Sequence, residues 1–500
     1  VKDFKKLFSL FILLLILFTA AGCSSSEGTG GGGESEAFSF SMMATLHTPE
    51  TPDEKILNEI EQATNTNIDI QWIPGNNYQD RLNSAFATNS LPDAVFFGNQ
   101  AIFNQFRGAM EDGQFWEVGK YIDDYENLSK LKDTILDNTR VNGKLYALYQ
   151  GVPLSRQGLI YRKDWAESLG LDAPTNTEEF MEMARAFTED DPDGNGEDDT
   201  FGLTDRSDLI YGAFKTVSSW FGTPNNWGEK EGELLPEFMF DEYMQTLDFF
   251  REMHENGYIN QDFPVTSKTD QQEFFKNGTA GMYVGAMGDV SGLYRDAAAL
   301  NPDLEFEVQN RIEGPDGEFG VWSVPGYGNA LMFPKSAVET EEELKNLLAF
   351  FDKMMTPEVA NLANWGIEGE HYEVVDGKAL PSDDKQITDR EVRPYLSILI
   401  GEPETRGSYE SIMELEVKAK SEELIKDNEN YLIEDPTVTL YSETYLEEGT
   451  RLQQIITDAT YNYILGKIDK DGFASAVEEW KSEGGSAIIE EYNASFKESK

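Results

Sequence analysis

The chain has 500 residues, with 92 Asp plus Glu against 40 Lys plus Arg, giving a formal net charge of −52. So acidic a chain lacks the basic face that neutralises nucleic-acid phosphates, and it does not suit a polybasic membrane-surface protein. At 39% hydrophobic and 12% aromatic residues it is too apolar for a disordered acidic chain, and its single cysteine excludes an intrachain disulfide or a thiolate zinc cluster.

The N-terminal segment carries Lys2, Lys5 and Lys6, then an apolar run from Leu7 to Ala21, then Gly22-Cys23-Ser24. A basic start, a short apolar stretch and small residues before a cut site predict a secretory signal over residues 1–22. The run is short for a spanning helix, which needs about 20 apolar residues. Cys23, directly after Ala20-Ala21-Gly22, resembles the bacterial lipobox. That resemblance implies a diacylglyceryl anchor on Cys23, with Ala20 standing where the pattern prefers Leu. Residues 23–37, rich in Gly and Ser, read as a flexible tether.

From Phe38 onward, short apolar strands alternate with amphipathic helices. Phe38–Phe40 opens as a strand, and Asp53–Thr64 places Ile56, Leu57, Ile60 and Ala63 on one helical face. Ile68–Ile73 and Ala94–Phe97 read as strands, with a helix over Arg81–Ala87 between them. Helices follow over Thr177–Phe187, Phe238–Asn256, Gln271–Lys276 and Glu341–Met354, and a strand over Ala280–Val284. Strands alternating with helices predict βαβ units and a mainly parallel sheet. The fold class is α/β.

Local signatures narrow this further. Leu91-Pro92-Asp93 precedes an apolar strand, and Asn142-Gly143 is a tight hairpin turn ahead of Lys144–Leu148. Leu159–Trp165 reads LIYRKDW, and Phe274–Met282 reads FFKNGTAGM. In the latter, Gly278 supplies the positive φ of a helix C-cap, and Ala280 and Gly281 allow close backbone approach. Taken in order, these segments resemble the family 1 extracellular solute-binding proteins of ABC importers. The resemblance spans nearly everything from Phe38 to the C-terminal helices of Asp471–Phe496. It is greatest to the large sugar-uptake lipoproteins of Bacillus- and Paenibacillus-type bacteria.

The resemblance implies two α/β lobes, a periplasmic-binding-protein-like fold, joined by several chain crossings. Crossings are expected near Gly151–Gln157, Val321–Gly328 and Gly366–Lys378. Lobe 1 is then 38–150 with 322–375 returning to it, and lobe 2 is 151–321 with 376–500. Ligand is expected in the crevice at the carboxyl ends of the strands, with hinge closure around it. The implied protein is a monomer anchored on the outer face of the cell membrane. It captures an oligosaccharide there, a neutral one in view of the net charge, and delivers it to permease subunits.

Sugars present apolar faces and hydroxyls, so aromatic side chains with nearby hydrogen-bonders are the candidate contacts. Trp220 and Trp227 flank the loop Gly222-Thr223-Pro224-Asn225-Asn226, Trp322 falls at the second crossing, and Trp365 precedes the third. Tyr149 and Arg156 flank the first crossing. In sugar-binding relatives an aromatic pair follows the strand after the FFKNG segment; here that stretch is Gly285-Ala286-Met287-Gly288-Asp289, without a ring.

Residues Asp191–Asp199 match D-x-D-x-N-G-x-x-D, the alternating oxygen donors and sharp glycine turn of a calcium loop. Asp191, Asp193, Asn195, the backbone carbonyl of Glu197, and Asp199 are the expected donors. Gly202 stands where an EF-hand carries its bidentate Glu, so a structural Ca2+ is expected in an EF-like loop.

Two other readings compete. One is a secreted glycoside hydrolase, for which two suitably spaced carboxylates suffice; the other is a peptide-binding lipoprotein. No G-x-S-x-G or H-E-x-x-H occurs, and Ser129-Lys130-Leu131-Lys132 has no S-D-N or K-T-G partner. The chain is read as a binder, not an enzyme.

Overall fold

The computed structural model describes residues 37–499. The expected leader 1–22, Cys23 and most of the tether 23–37 lie outside the described residues. Two sheets organise the rest; the first packs into one hydrophobic core and the second carries a core on each face.

The first sheet is built from β1 (Phe38–Leu46), β2 (Thr66–Pro74), β3 (Ala94–Gly98), β4 (Leu148–Gly151) and the late strand β9 (Tyr327–Met332). Its order is β2-β1-β3-β9-β4. β1 pairs in parallel with β2, from Phe38↔Thr66 to Leu46↔Pro74, and with β3. β9 runs antiparallel to both β3 and β4. The second sheet, β8-β5-β7-β6, comprises β5 (Gln157–Arg162), β6 (Phe201–Thr204), β7 (Ala280–Ala286) and β8 (Phe306–Gln309). Only its β6–β7 pair is parallel. The sheets are therefore mixed rather than mainly parallel. β5 and β9 each begin just after a chain crossing and run against the local βαβ strands.

Side-chain patterning explains the layers. β5 is buried along its whole length: Leu159 and Tyr161 enter a core with Trp165, Phe180 and Phe187, while Ile160 enters another with Phe275, Met287 and Phe306. A strand covered on both faces reads as a continuous apolar run, as this one does. The first sheet packs Met42, Val95, Phe97 and Leu331 with Leu347, Phe351 and Tyr395. The Asn142-Gly143 turn forms as expected, with φ of 50° and 73° between Arg140–Val141 and Lys144–Leu145. A Cβ at Gly281 would come within 2.2 Å of the Phe187 ring, so this close approach requires glycine.

The chain crosses between the sheets in three places, and the crossings are bonded to one another. Val152 N–H donates to Gly326 O at 2.9 Å and Val324 N–H to Leu154 O at 2.8 Å. Gly401 N–H donates to Tyr149 O at 2.6 Å, and Gly151 N–H returns to Gly401 O at 3.0 Å. The chain stays on the first lobe past Gly366–Lys378: it meets the first crossing at Gly401, and Ala379 still pairs with Glu410 and Ile412. Residues 372–381 instead form a hairpin, turning through Asp376 (φ 52°) and Gly377 (φ 77°). Val392, Tyr395, Ile398 and Ile400, expected in lobe 2, pack in the first core. Glycines that mimic an interlobe break in sequence serve a local turn here.

Among the described residues, no helix is long and apolar enough to cross a membrane.

Candidate functional site

β6 ends at Thr204, and Asp205 and the residues after it fold into a stapled loop. Asp205 Oδ1 accepts the Ala213 N–H at 2.9 Å, at the start of helix α2 (Ala213–Trp220). Asp205 N–H donates to Asn260 Oδ1 at 2.8 Å, and the Arg206 guanidinium bonds both Tyr211 O and Gln271 Oε1. The Asp205 carboxyl is buried, which pushes its pKa up to about 7. The loop projects Ile210 and Tyr211 outward, and Tyr211 is 51% exposed.

Tyr211 meets Trp322 edge-on, with ring centroids 5.8 Å apart. Trp322 is itself buried; its Nε1 donates to Thr216 Oγ1 at 3.1 Å, and Lys215 Nζ lies 5.7 Å from its ring centre. Lys215 Nζ also reaches Glu237 Oε2 at 2.9 Å and Asn226 Oδ1 at 2.6 Å. The network continues through Asn226 Nδ2 to Asp435 Oδ2 at 2.8 Å. Burial raises the Asp435 carboxyl, and bonds from Asn226 and Thr437 oppose that shift. Asn226 adopts a left-handed φ of 59°, which Asn tolerates better than most residues. Asn225 Nδ2 binds Ser323 O at 2.8 Å and Ile433 O at 3.0 Å, fixing this loop to the second crossing.

Where the segment after Ile433 meets helix α1 (Asn99–Gln105), the two lobes touch. Gln100 Nε2 donates to Val438 O at 3.1 Å, and Arg107 Nη1 to Thr439 O at 3.2 Å. The Arg107 guanidinium also lies 5.5 Å from the Tyr441 ring centre. Between these elements is a cavity of about 550 Å³. Asn104 and Arg107 line it from one lobe, and Trp227, Asp435, Tyr441 and Tyr445 from the other. Amides, a carboxylate, a guanidinium and partly exposed rings are the groups that bind a hydroxyl-rich ring compound.

The expected contacts are distributed unevenly. Trp322 and Trp227 belong to this region, Trp227 packing edge-on against Tyr492 at 4.9 Å. Trp220 does not: it is 1% exposed and packs on Phe180 inside the second core. Trp365 is held within the first lobe, its Nε1 donating to Tyr409 O at 3.1 Å and its ring against Tyr372. Tyr149 is fully buried at the crossings, with its hydroxyl bonded to Glu402 and Lys132 N–H. Arg156 is exposed at the first crossing, and its carbonyl accepts the Met287 N–H at 2.8 Å. Sequence reading missed Arg107, Lys215, Tyr211, Asp435, Tyr441 and Tyr445. Only the Tyr441/Tyr445 pair at helical spacing carries a local signal.

The acidic loop fits a hard cation. Asn195 Nδ2 sits 2.9 Å from Asp193 Oδ2 and 3.2 Å and 3.3 Å from the two Asp199 oxygens. Asp191 accepts the backbone N–H of Asn195 at 3.1 Å and of Gly196 at 3.0 Å. Three carboxylates thus converge on one short turn, and the only positive groups they meet within it are amide hydrogens. Burial and its acidic neighbours raise the Asp193 carboxyl. A divalent ion at this focus would relieve that repulsion once Asn195 turned its oxygen inward.

A family model for bacterial extracellular solute-binding proteins matches residues 45–361. The polygalacturonan/rhamnogalacturonan-binding protein YtcQ of Bacillus subtilis is 44% identical over 465 residues, 92% of this chain and 91% of that protein. An HMO-binding, ABC-transporter-associated solute-binding protein from Bifidobacterium longum infantis shares the fold. Its TM-score is 0.71 at 15% identity, covering 92% of this chain and 99% of that one. An EF-hand mutant of the Streptococcus pneumoniae substrate-binding protein FusA, in complex with fructo-nystose, aligns with a TM-score of 0.59 at 18% identity over 92% and 99% of the two chains.

Proposed function

Since the chain belongs to the bacterial extracellular solute-binding proteins, we propose that it captures an oligosaccharide between its lobes and presents it to an ABC permease. The observation that carries this is the cavity of about 550 Å³ walled by both lobes, because a ligand touching both favours the closed arrangement. We take the lobes as 38–150 with 327–400, and 157–321 with 416–499, following the cores.

For the ligand we infer a pectin-type oligosaccharide bearing galacturonate, in place of the neutral sugar expected from net charge. The polygalacturonan/rhamnogalacturonan-binding name of the 44%-identical relative supports it. Arg107, which lines the cavity, carries a local cation that it shares with Glu111 at 3.1 Å. The Asp191–Asp199 loop holds a structural Ca2+, a reading that the EF-hand of FusA supports. Cys23 carries the lipid anchor that keeps the protein at the outer face of the membrane, and a Cys23→Ala variant is released into the medium.

Calorimetric titration with oligogalacturonides and rhamnogalacturonan fragments, with the products analysed by chromatography, tests the reading. Saturable binding with unchanged sugar supports it; hydrolysis of the sugar overturns it in favour of a glycosidase.

A further inference from the structure

Helix α3 (Glu443–Ile464) carries Tyr445, Gly449, Gln453, Thr457 and Tyr461 along one i, i+4 row. Three adjoining depressions follow that row. The interlobe cavity of about 550 Å³ ends at Tyr445. A narrow neck of about 60 Å³ lies over Tyr445, Gly449 and Gln453, and a second chamber of about 370 Å³ over Gln453, Thr457 and Tyr461. Asn226 and Trp227 line both the first cavity and the neck, and Glu237 and Gln453 line both the neck and the chamber. The three form one groove. At 1.5 Å per helical residue, the row from Tyr445 to Tyr461 is about 24 Å long.

The groove's chemistry suits a chain of sugar rings. A tyrosine stands at each end, and an amide and a hydroxyl lie between them. Lys215, Asn226 and Glu237 form a bonded polar wall opposite. Gly449 is the telling residue, because a glycine inside a helix is less favourable than alanine. A Cβ there would come within 3.0 Å of the Tyr445 ring, which folds back over the position. That ring is 48% exposed, so the glycine lets it lie as a platform where cavity and neck meet.

We propose that this groove holds the part of an oligosaccharide that extends beyond the interlobe cavity, so that the protein selects long chains over short ones. The inference rests on the solute-binding reading above, and the test separates the two. Calorimetric titrations compare a galacturonate disaccharide and a rhamnogalacturonan disaccharide with their octasaccharides. Wild type binds the octasaccharide of the preferred series more tightly. Tyr461→Ala and Gln453→Ala, which lie outside the interlobe cavity, weaken that octasaccharide about five- to tenfold, the range for loss of one stacking contact or hydrogen bond, and leave the disaccharide within about twofold. Gln453 is an exposed helix residue, and alanine there keeps the helix propensity high, so a loss in Gln453→Ala does not arise from unfolding. Octasaccharide affinity unchanged in both variants, or weakening equal at both lengths, overturns the groove and leaves the cleft reading standing. Failure of wild type to bind either length overturns both.

Discussion

Tyr149 and Glu402, one at the first crossing and one beside Gly401, are joined by a hydrogen bond of 2.8 Å from the phenol to Glu402 Oε1. The same phenol oxygen accepts the Lys132 N–H at 2.8 Å. Burial first, and then the Glu402 charge, hold the phenol far above its usual range, so it stays a donor at any physiological pH. The pair ties together two strands of the hinge that are remote in sequence. Removing the hydroxyl orphans a backbone donor and a buried carboxylate. Tyr149→Phe is therefore expected to cost about 1–3 kcal/mol of stability, measured by urea unfolding. An unchanged midpoint would show that water replaces both bonds.

Tyr211 gives the complementary case. It is 51% exposed, so its truncation removes little packing within the folded protein. Tyr211→Ala is expected to leave the melting temperature within about 2 °C while weakening oligosaccharide binding about tenfold. Equal affinity in the variant would remove this ring from the site.

The Asp205 carboxyl gives the stapled loop a pH dependence. Its folded pKa of about 7 stands above the ordinary 3.8. The folded state thus holds this proton more tightly than the unfolded chain does. The resulting stabilisation is complete below about pH 4 and is lost as pH rises through about 7. In Asp205→Asn the amide oxygen keeps the Ala213 bond without a charge to bury. The variant should lose less stability than wild type between pH 5 and pH 8, in unfolding titrations across that range. Parallel curves would refute the assignment.

Calcium binding to the acidic loop should appear as thermal stabilisation. At a hundredfold excess over its dissociation constant, an ion bound only by the folded state adds about 2.7 kcal/mol. Chelation is expected to lower the melting temperature of wild type and to leave Asp193→Ala unaffected. A wild-type melting temperature that does not respond to chelator would sink the calcium reading.

Several features were readable locally because short-range sterics and periodicity decide them. The Asn142-Gly143 turn, the small residues of β7 and the helix over Glu341–Met354 fall where the sequence places them. The cleft residues were not readable in that way. Trp220 borders a Gly-Pro-Asn loop, yet α2 is buried along its whole length, because packing from other elements covers it on every side. The Gly366–Lys378 stretch looks like an interlobe break and is a hairpin instead.

The opening arithmetic of charge and cysteine excluded nucleic-acid binding and disulfide scaffolds, and the order of motifs indicated a two-lobed binder. The exclusions rest on composition and the α/β class on patterns of period 2 and 3.6, while the two lobes and the binding role came from the resemblance of those motifs to a known family. Only the tertiary structure decided which side chains share a site. Gln100 and Val438 are 338 residues apart and meet at 3.1 Å across the cavity. That contact depends on how two separate lobes dock through three crossings, which no window of sequence contains. The net charge of −52 belongs to the whole chain, whereas the charge at the cavity wall is set locally by Arg107, with its partner Glu111, and by Asp435.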